Sequence, residues 1–173
     1  MFGLELSTLT GKEPVYSAQV QHRTLQNYSF EKYIKTVKDQ GQTSMCVPFS
    51  ISQIVEWYWR SCGMKNPTMD KSDLYSRRAI KTVNGMSFKE ALEAMMSSGY
   101  ILDKIHTERI YGYCRIPSKL LMIDYLVSYS PFLIGENHKK KSYCNYLENP
   151  TADFCISFVL HTTVYLRVLY RLR

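Results

Sequence analysis

Asp39-Gln40-Gly41-Gln42-Thr43-Ser44-Met45-Cys46-Val47-Pro48-Phe49-Ser50 carries the strongest structural signal in this chain. A polar, glycine-containing run ends at Cys46, and an apolar helical pattern begins there. Val47, Ile51, Ile54, Val55, Tyr58 and Cys62 recur at three- and four-residue steps, which predicts a helix from about Cys46 to about Cys62 with Gly63 as its stop. Pro48 suits the first turn, where backbone N–H groups lack helical partners anyway. The helix dipole adds partial positive charge at that end. A thiol held there is favoured as thiolate, the form that attacks carbonyl carbon. Gln40, six residues upstream, offers a carboxamide donor for the oxyanion that such an attack creates. The competing reading of Cys46 is a helix-start cysteine that only packs.

This segment resembles the active-site loop of papain-like cysteine peptidases, whose pattern reads roughly D-Q-G-x-C-G-S-C-W-A-F-S. The resemblance implies that Cys46 is the nucleophile and Gln40 the oxyanion-hole donor, with Phe49 and Ser50 on the F-S that follows. Thr43 stands where many members carry a disulfide-forming cysteine, and Val47-Pro48 replace Trp-Ala. The similarity is closest over residues 30–135.

Downstream, Asn66-Pro67-Thr68 reads as a turn and Lys71 to Tyr75 as a short helix, similar to the family's L-S-E-Q-E-L segment. Ser87 and Glu90 form a capping box, in which each side chain satisfies the other's backbone N–H. The helix they open carries Phe88, Leu92, Met95 and Met96 and stops at Gly99. A further helix follows Pro117-Ser118 through Leu120, Leu121, Ile123, Leu126 and Val127. Pro131 to Gly135 reads as a strand, and Val164, Leu166, Val168, Tyr170 and Leu172 alternate along another. Helices early and strands late predict an α+β class. The resemblance implies one papain-like domain over 1–173, with its C-terminal strands truncated. It divides into an N-terminal arm (1–38), a mainly helical lobe led by the Cys46 helix (39–130) and an antiparallel β lobe (131–173). The Cys46 helix is expected to pack on a sheet carrying residues 132–136 and 154–170.

A cysteine nucleophile needs an imidazole to take its proton or pair with it. His22, His106 and His138 lie in polar or charged stretches and read as solvated. His161 closes the apolar run Phe154 to Leu160 and opens the alternating strand. Leu160-His161-Thr162-Thr163-Val164 loosely resembles the family's histidine strand, which implies His161 as the base. A core histidine bonded to a backbone carbonyl is the alternative. The family's orienting asparagine, in an N-S-W-G motif after the histidine, has no counterpart here: Asn137, Asn145 and Asn149 all precede His161. The expectation is that those last strands are missing, replaced or supplied by another chain.

With 173 residues and 45% hydrophobic content, the chain suits a single globular domain. Its net charge of +7 is dispersed over Arg77-Arg78, Lys139 to Lys141, Arg167, Arg171 and Arg173, which is no nucleic-acid footprint. The five cysteines show no C-x-x-C spacing, and no signal peptide or bilayer-spanning run is visible. Thiols in a reducing compartment are therefore expected, with a cytoplasmic or virion-associated location, bacterial or phage. No metal, nucleotide or flavin motif is present, so no cofactor is expected. Three functions stay open. The first is a thiol peptidase acting on protein or peptide through a thioester. The second is a non-catalytic papain-like module that binds protein, for example within a virus particle. The third is a thioester-based acyl transferase.

Overall fold

Cys46 is the first residue of α1 (Cys46–Ser61) in the computed structural model, which describes residues 14–15, 30–79, 81, 84–116, 121, 125, 131, 133 and 166–169. The helix ends as its glycine foretold. Gly63 takes φ +97°, the Gly63 N–H donates to the Arg60 carbonyl at 3.0 Å, and the Met64 N–H donates to the Trp59 carbonyl at 3.0 Å. That pair of bonds is a Schellman stop. Val47, Ile51 and Val55 are buried as expected, Ile54 packs against the same cluster, and Cys62 is exposed.

Two short helices follow. In α2 (Lys71–Ser76), the Asp70 carboxylate caps the first turn by accepting from the Ser72 and Asp73 N–H groups, each at 3.0 Å. In α3 (Phe88–Ser97), Ser87 Oγ accepts from the Glu90 N–H at 3.1 Å. The expected capping box is only half formed, because the Glu90 carboxylate accepts instead from the Ala79 N–H. It ties α3 to the end of α2 rather than to its own cap. Among the elements given, α1 packs against a single 3-10 turn (Glu31–Tyr33), α2 and α3. Of the range 132–136, only Leu133 is described, and it belongs to the same buried cluster as Val47 and Leu92. Residues 154–165, His161 among them, lie outside the described residues.

The strands begin earlier than the sequence pattern suggests. β1 (Tyr100–Leu102) and β2 (His106–Glu108) form an antiparallel hairpin directly after α3, within the range expected to be mainly helical. Its loop uses left-handed backbone at Asp103 (φ 50°) and Lys104 (φ 66°), the geometry that matches strand twist. Met69 bridges Leu102, and the Asp70 N–H donates to the Ile101 carbonyl at 2.9 Å, so the segment before α2 lines the edge of β1. β3 (Gly112–Arg115) pairs antiparallel with β4 (Leu166–Leu169), with Cys114 opposite Arg167. β4 falls inside the alternating stretch read as a strand. The architecture is α+β: three helices with two small antiparallel sheets among the described residues.

One core joins these pieces. Val47, Ile51, Val55, Met69, Leu74, Met86, Leu92, Met95, Tyr100 and Leu102 are all essentially inaccessible to solvent. Trp59 Nε1 donates to the Tyr100 hydroxyl at 3.0 Å, which pins α1 to β1 and satisfies both polar tips. On the other side of α1, Trp57 meets Phe30 and Tyr33 edge-on, with ring centroids at 5.2 and 6.1 Å. Each such pair contributes about 0.5–1.5 kcal/mol beyond its burial. They seat the segment that enters the Gln40 loop against the central helix.

Candidate active site

The Gln40–Cys46 segment is a folded turn, held by its own short polar side chains. Gly41 takes φ +57°, and the Asp39 carboxylate accepts from the Gly41 N–H at 2.7 Å. Thr43 closes the turn: its Oγ1 donates to the Gln40 carbonyl at 2.8 Å and its N–H approaches the same oxygen at 3.4 Å. The Gln40 carboxamide donates to the Thr43 carbonyl at 2.9 Å. A carboxamide carries two N–H groups, so one remains for an acceptor outside the turn.

Cys46 follows at the helix start and is half-buried. Its carbonyl accepts from Ser50 Oγ at 2.9 Å, one turn on. Met45 is the N-cap and offers no side-chain oxygen, and the first turn contains no acidic residue. The positive end of the dipole is therefore not countered by a carboxylate of its own helix. The Lys71 ammonium sits 4.9 Å from the centroid of the Phe49 ring, a residue of that first turn. A helix start is one of the settings that lower a thiol's pKa.

Lys38 and Glu56, which the sequence reading passed over, join the segment before this loop to α1. Glu56 is an acidic side chain only 3% exposed. Its carboxylate pairs with the Lys38 ammonium, accepts from Arg60 Nη2 at 3.2 Å and accepts from the Met69 N–H at 3.0 Å. Lys38 Nζ also donates to the buried Ser52 Oγ at 2.9 Å, and Arg60 Nη1 donates to the Tyr33 carbonyl at 3.1 Å. Burial pushes the Lys38 ammonium below its ordinary 10.5, while the hydrogen bond and charge of Glu56 act against that. A signal for this network was present in the sequence. Ser52, Glu56 and Arg60 step by four along a helix whose neighbours Ile51, Val55 and Trp57 are apolar.

Of the expected site residues, the structure thus places Gln40 and Cys46 on one turn-to-helix junction. His161 lies outside the described residues, as do His22 and His138, whereas His106 is exposed on β2. Cys46, Cys62 and Cys114 are thiols without a disulfide, and Cys144 and Cys155 are outside the described residues. Among the described residues, no group of three or more His, Cys, Asp or Glu side chains is placed to hold a metal ion. No helix among them is long and apolar enough to cross a membrane. No protein-family model, curated protein or solved structure matches this chain.

Proposed function

We propose that this chain is a papain-like cysteine peptidase that cleaves peptide bonds through a thioester. The observation that carries the reading is Cys46 itself. It is a half-buried thiol opening a 16-residue helix whose first turn lacks both a side-chain cap and an acidic residue. In the proposed reaction Cys46 Sγ bonds to the carbonyl carbon, and the oxyanion is held by the Cys46 N–H and the second N–H of Gln40. His161, assigned by its resemblance to the family's histidine strand, holds the thiol proton and gives it to the departing amine as the C–N bond breaks. Water then attacks the thioester carbon, giving a proton to the same imidazole, which returns it to Cys46 Sγ as the C–S bond breaks and the acid leaves.

One observation favours a second reading, a non-catalytic papain-like module. The Gln40 carboxamide already spends one donor on the Thr43 carbonyl of its own turn, a purely structural use. Thiol reactivity separates the two. Cys62, the exposed C-cap residue of α1, is the comparison thiol. In the peptidase, iodoacetamide labels Cys46 faster than Cys62 at pH ~6, well below the ordinary thiol value of ~8.5, and His161→Ala abolishes the difference. Equal alkaline labelling of both thiols, indifferent to His161→Ala, would decide for the module.

A further inference from the structure

We propose that Lys38 and Glu56 form the device that positions the Gln40 turn over Cys46, an inference that rests on the peptidase reading of that site. The turn is tethered to α1 at both ends. One end is covalent, at Cys46; the other is the Lys38 ammonium, which bridges Ser52 Oγ and the Glu56 carboxylate on the same helix.

The chain between those tethers is longer than the gap it crosses. Eight residue steps separate Lys38 from Cys46 and reach ~26–29 Å when extended. Ser52 and Glu56 lie six and ten residues along α1 from Cys46, an axial distance of only ~9–15 Å. Chain length therefore leaves the path of the turn undetermined. The slack is taken up at Gly41 and by the bonds of Asp39 and Thr43, but these fix the turn only within itself. Phe30 and Tyr33 fix the chain against Trp57 only up to five residues before Lys38, so close to the turn its placement relative to the helix rests on Lys38.

The bond is built to hold one position. Glu56 is nearly inaccessible and its carboxylate is oriented by three donors from three parts of the chain: Lys38, Arg60 and the Met69 N–H. Arg60 reaches back to the Tyr33 carbonyl, so the approach to Lys38 is fixed as well. A partly buried ammonium with two oriented acceptors loses far more by moving than a solvated one does. Gln40 lies two residues beyond it, and each small displacement of that tether shifts the carboxamide that the proposed chemistry needs in place.

The test uses the full chain, with Lys38→Met and Lys38→Arg. Lys38→Met keeps most of the stem and leaves Glu56 bonded to Arg60 and Met69. Amide hydrogen exchange over residues 39–45 should then speed up by at least about tenfold while exchange in α3 stays unchanged. Cys46 labelling should fall toward the Cys62 rate, and Lys38→Arg, which can bridge the same two acceptors, should restore both readouts. Unchanged exchange in the turn, or an equal rise in α3, overturns the inference. If Lys38→Met does not fold, Ser52→Ala removes one acceptor of the ammonium, leaves Glu56 paired and carries the same comparison. Failure of the peptidase reading is seen separately, in a wild-type Cys46 that labels no faster than Cys62.

Discussion

The Lys38 ammonium pairs with the carboxylate of Glu56, joining the turn before Cys46 to the third turn of the helix that Cys46 begins. The pair is buried on one side only: Lys38 is 18% exposed and Glu56 3%. Glu56 cannot be removed without leaving Lys38, Arg60 and the Met69 N–H short of a partner in a poorly solvated place. Glu56→Ala should therefore cost ~3–5 kcal/mol of folding stability, measured by urea unfolding. Glu56→Gln keeps an acceptor and should cost clearly less. Equal losses for the two would show that the site values the space the side chain fills rather than its oxygens.

Gly99 makes a second, purely steric prediction. It ends α3 at φ +80°, and a Cβ added there would meet the Glu108 carbonyl at 2.6 Å and Thr107 Cγ2 at 2.8 Å. The Arg77 guanidinium also donates to the Gly99 carbonyl at 2.7 Å, so the backbone has little freedom to withdraw. Gly63 also takes positive φ, at +97°, but nothing lies within 4 Å of an added Cβ. Gly63→Ala should lose only the left-handed backbone penalty of ~1–2 kcal/mol, and Gly99→Ala distinctly more. Thermal unfolding of the two variants side by side checks this. Matching losses would mean that the β1–β2 hairpin simply shifts to make room.

The sequence reading succeeded where one signal was local and strong. The Cys46 helix has an apolar stripe, a proline in its first turn and a glycine stop, and all three appear where expected. Ser87 was likewise legible as a cap, because hydroxyl-to-N3 bonding is decided within four residues. Its partner Glu90 was not, since a distant N–H at Ala79 competed for the carboxylate. The β1–β2 hairpin escaped notice for a related reason. His106-Thr107-Glu108 is polar and exposed or half-exposed, and its turn uses Asp103-Lys104 where a glycine would have signalled positive φ. Glu56 was missed because a charge inside an apolar stripe becomes intelligible only once Lys38, eighteen residues back, is folded onto it. At the candidate site, the turn-to-helix junction carrying Gln40 and Cys46 is local and was therefore readable, whereas the placement of His161 depends on long-range contacts that periodicity does not encode.

Gln40 carries the prediction that bears most directly on catalysis. One of its N–H groups closes the turn on the Thr43 carbonyl, a hydrogen bond at the surface that contributes about 0.5–1.5 kcal/mol at most. The other is the proposed oxyanion donor. Gln40→Ala should lower kcat for a peptide ester by something like ~10²-fold, with KM little changed, because an oxyanion donor acts in the transition state. Thr43→Val removes the turn-closing hydroxyl bond but keeps the carboxamide, and should lose much less. If turnover is present and survives Gln40→Ala intact, the position of Gln40 before the cysteine has no chemical meaning.

Tyr58 gives a pH dependence with a definite sign. Its phenol is pushed up to about 12, first by burial, then by its hydrogen bond to Cys62 and by the negative charges that Cys62 and Glu108 bring. The folded chain therefore holds this proton more tightly than the unfolded chain, whose phenol titrates near the ordinary 10.0. The resulting stabilisation is fully present below pH 10 and is lost as pH rises from there through about 12. Lys38 acts with the opposite sign, since its folded value lies below 10.5: its contribution is present above 10.5 and lost as pH falls through the folded value. The whole-protein curve mixes the two, so the measurement is the difference between wild type and Tyr58→Phe, which cannot ionise. In urea unfolding, wild type should lose ground to Tyr58→Phe steadily between pH 10 and 12. Cys62→Ser, which removes the neighbouring thiolate, should shrink that difference without erasing it, because burial is the larger cause. A difference that stays flat across the interval would mean that Tyr58 meets solvent as freely in the folded chain as in the unfolded one.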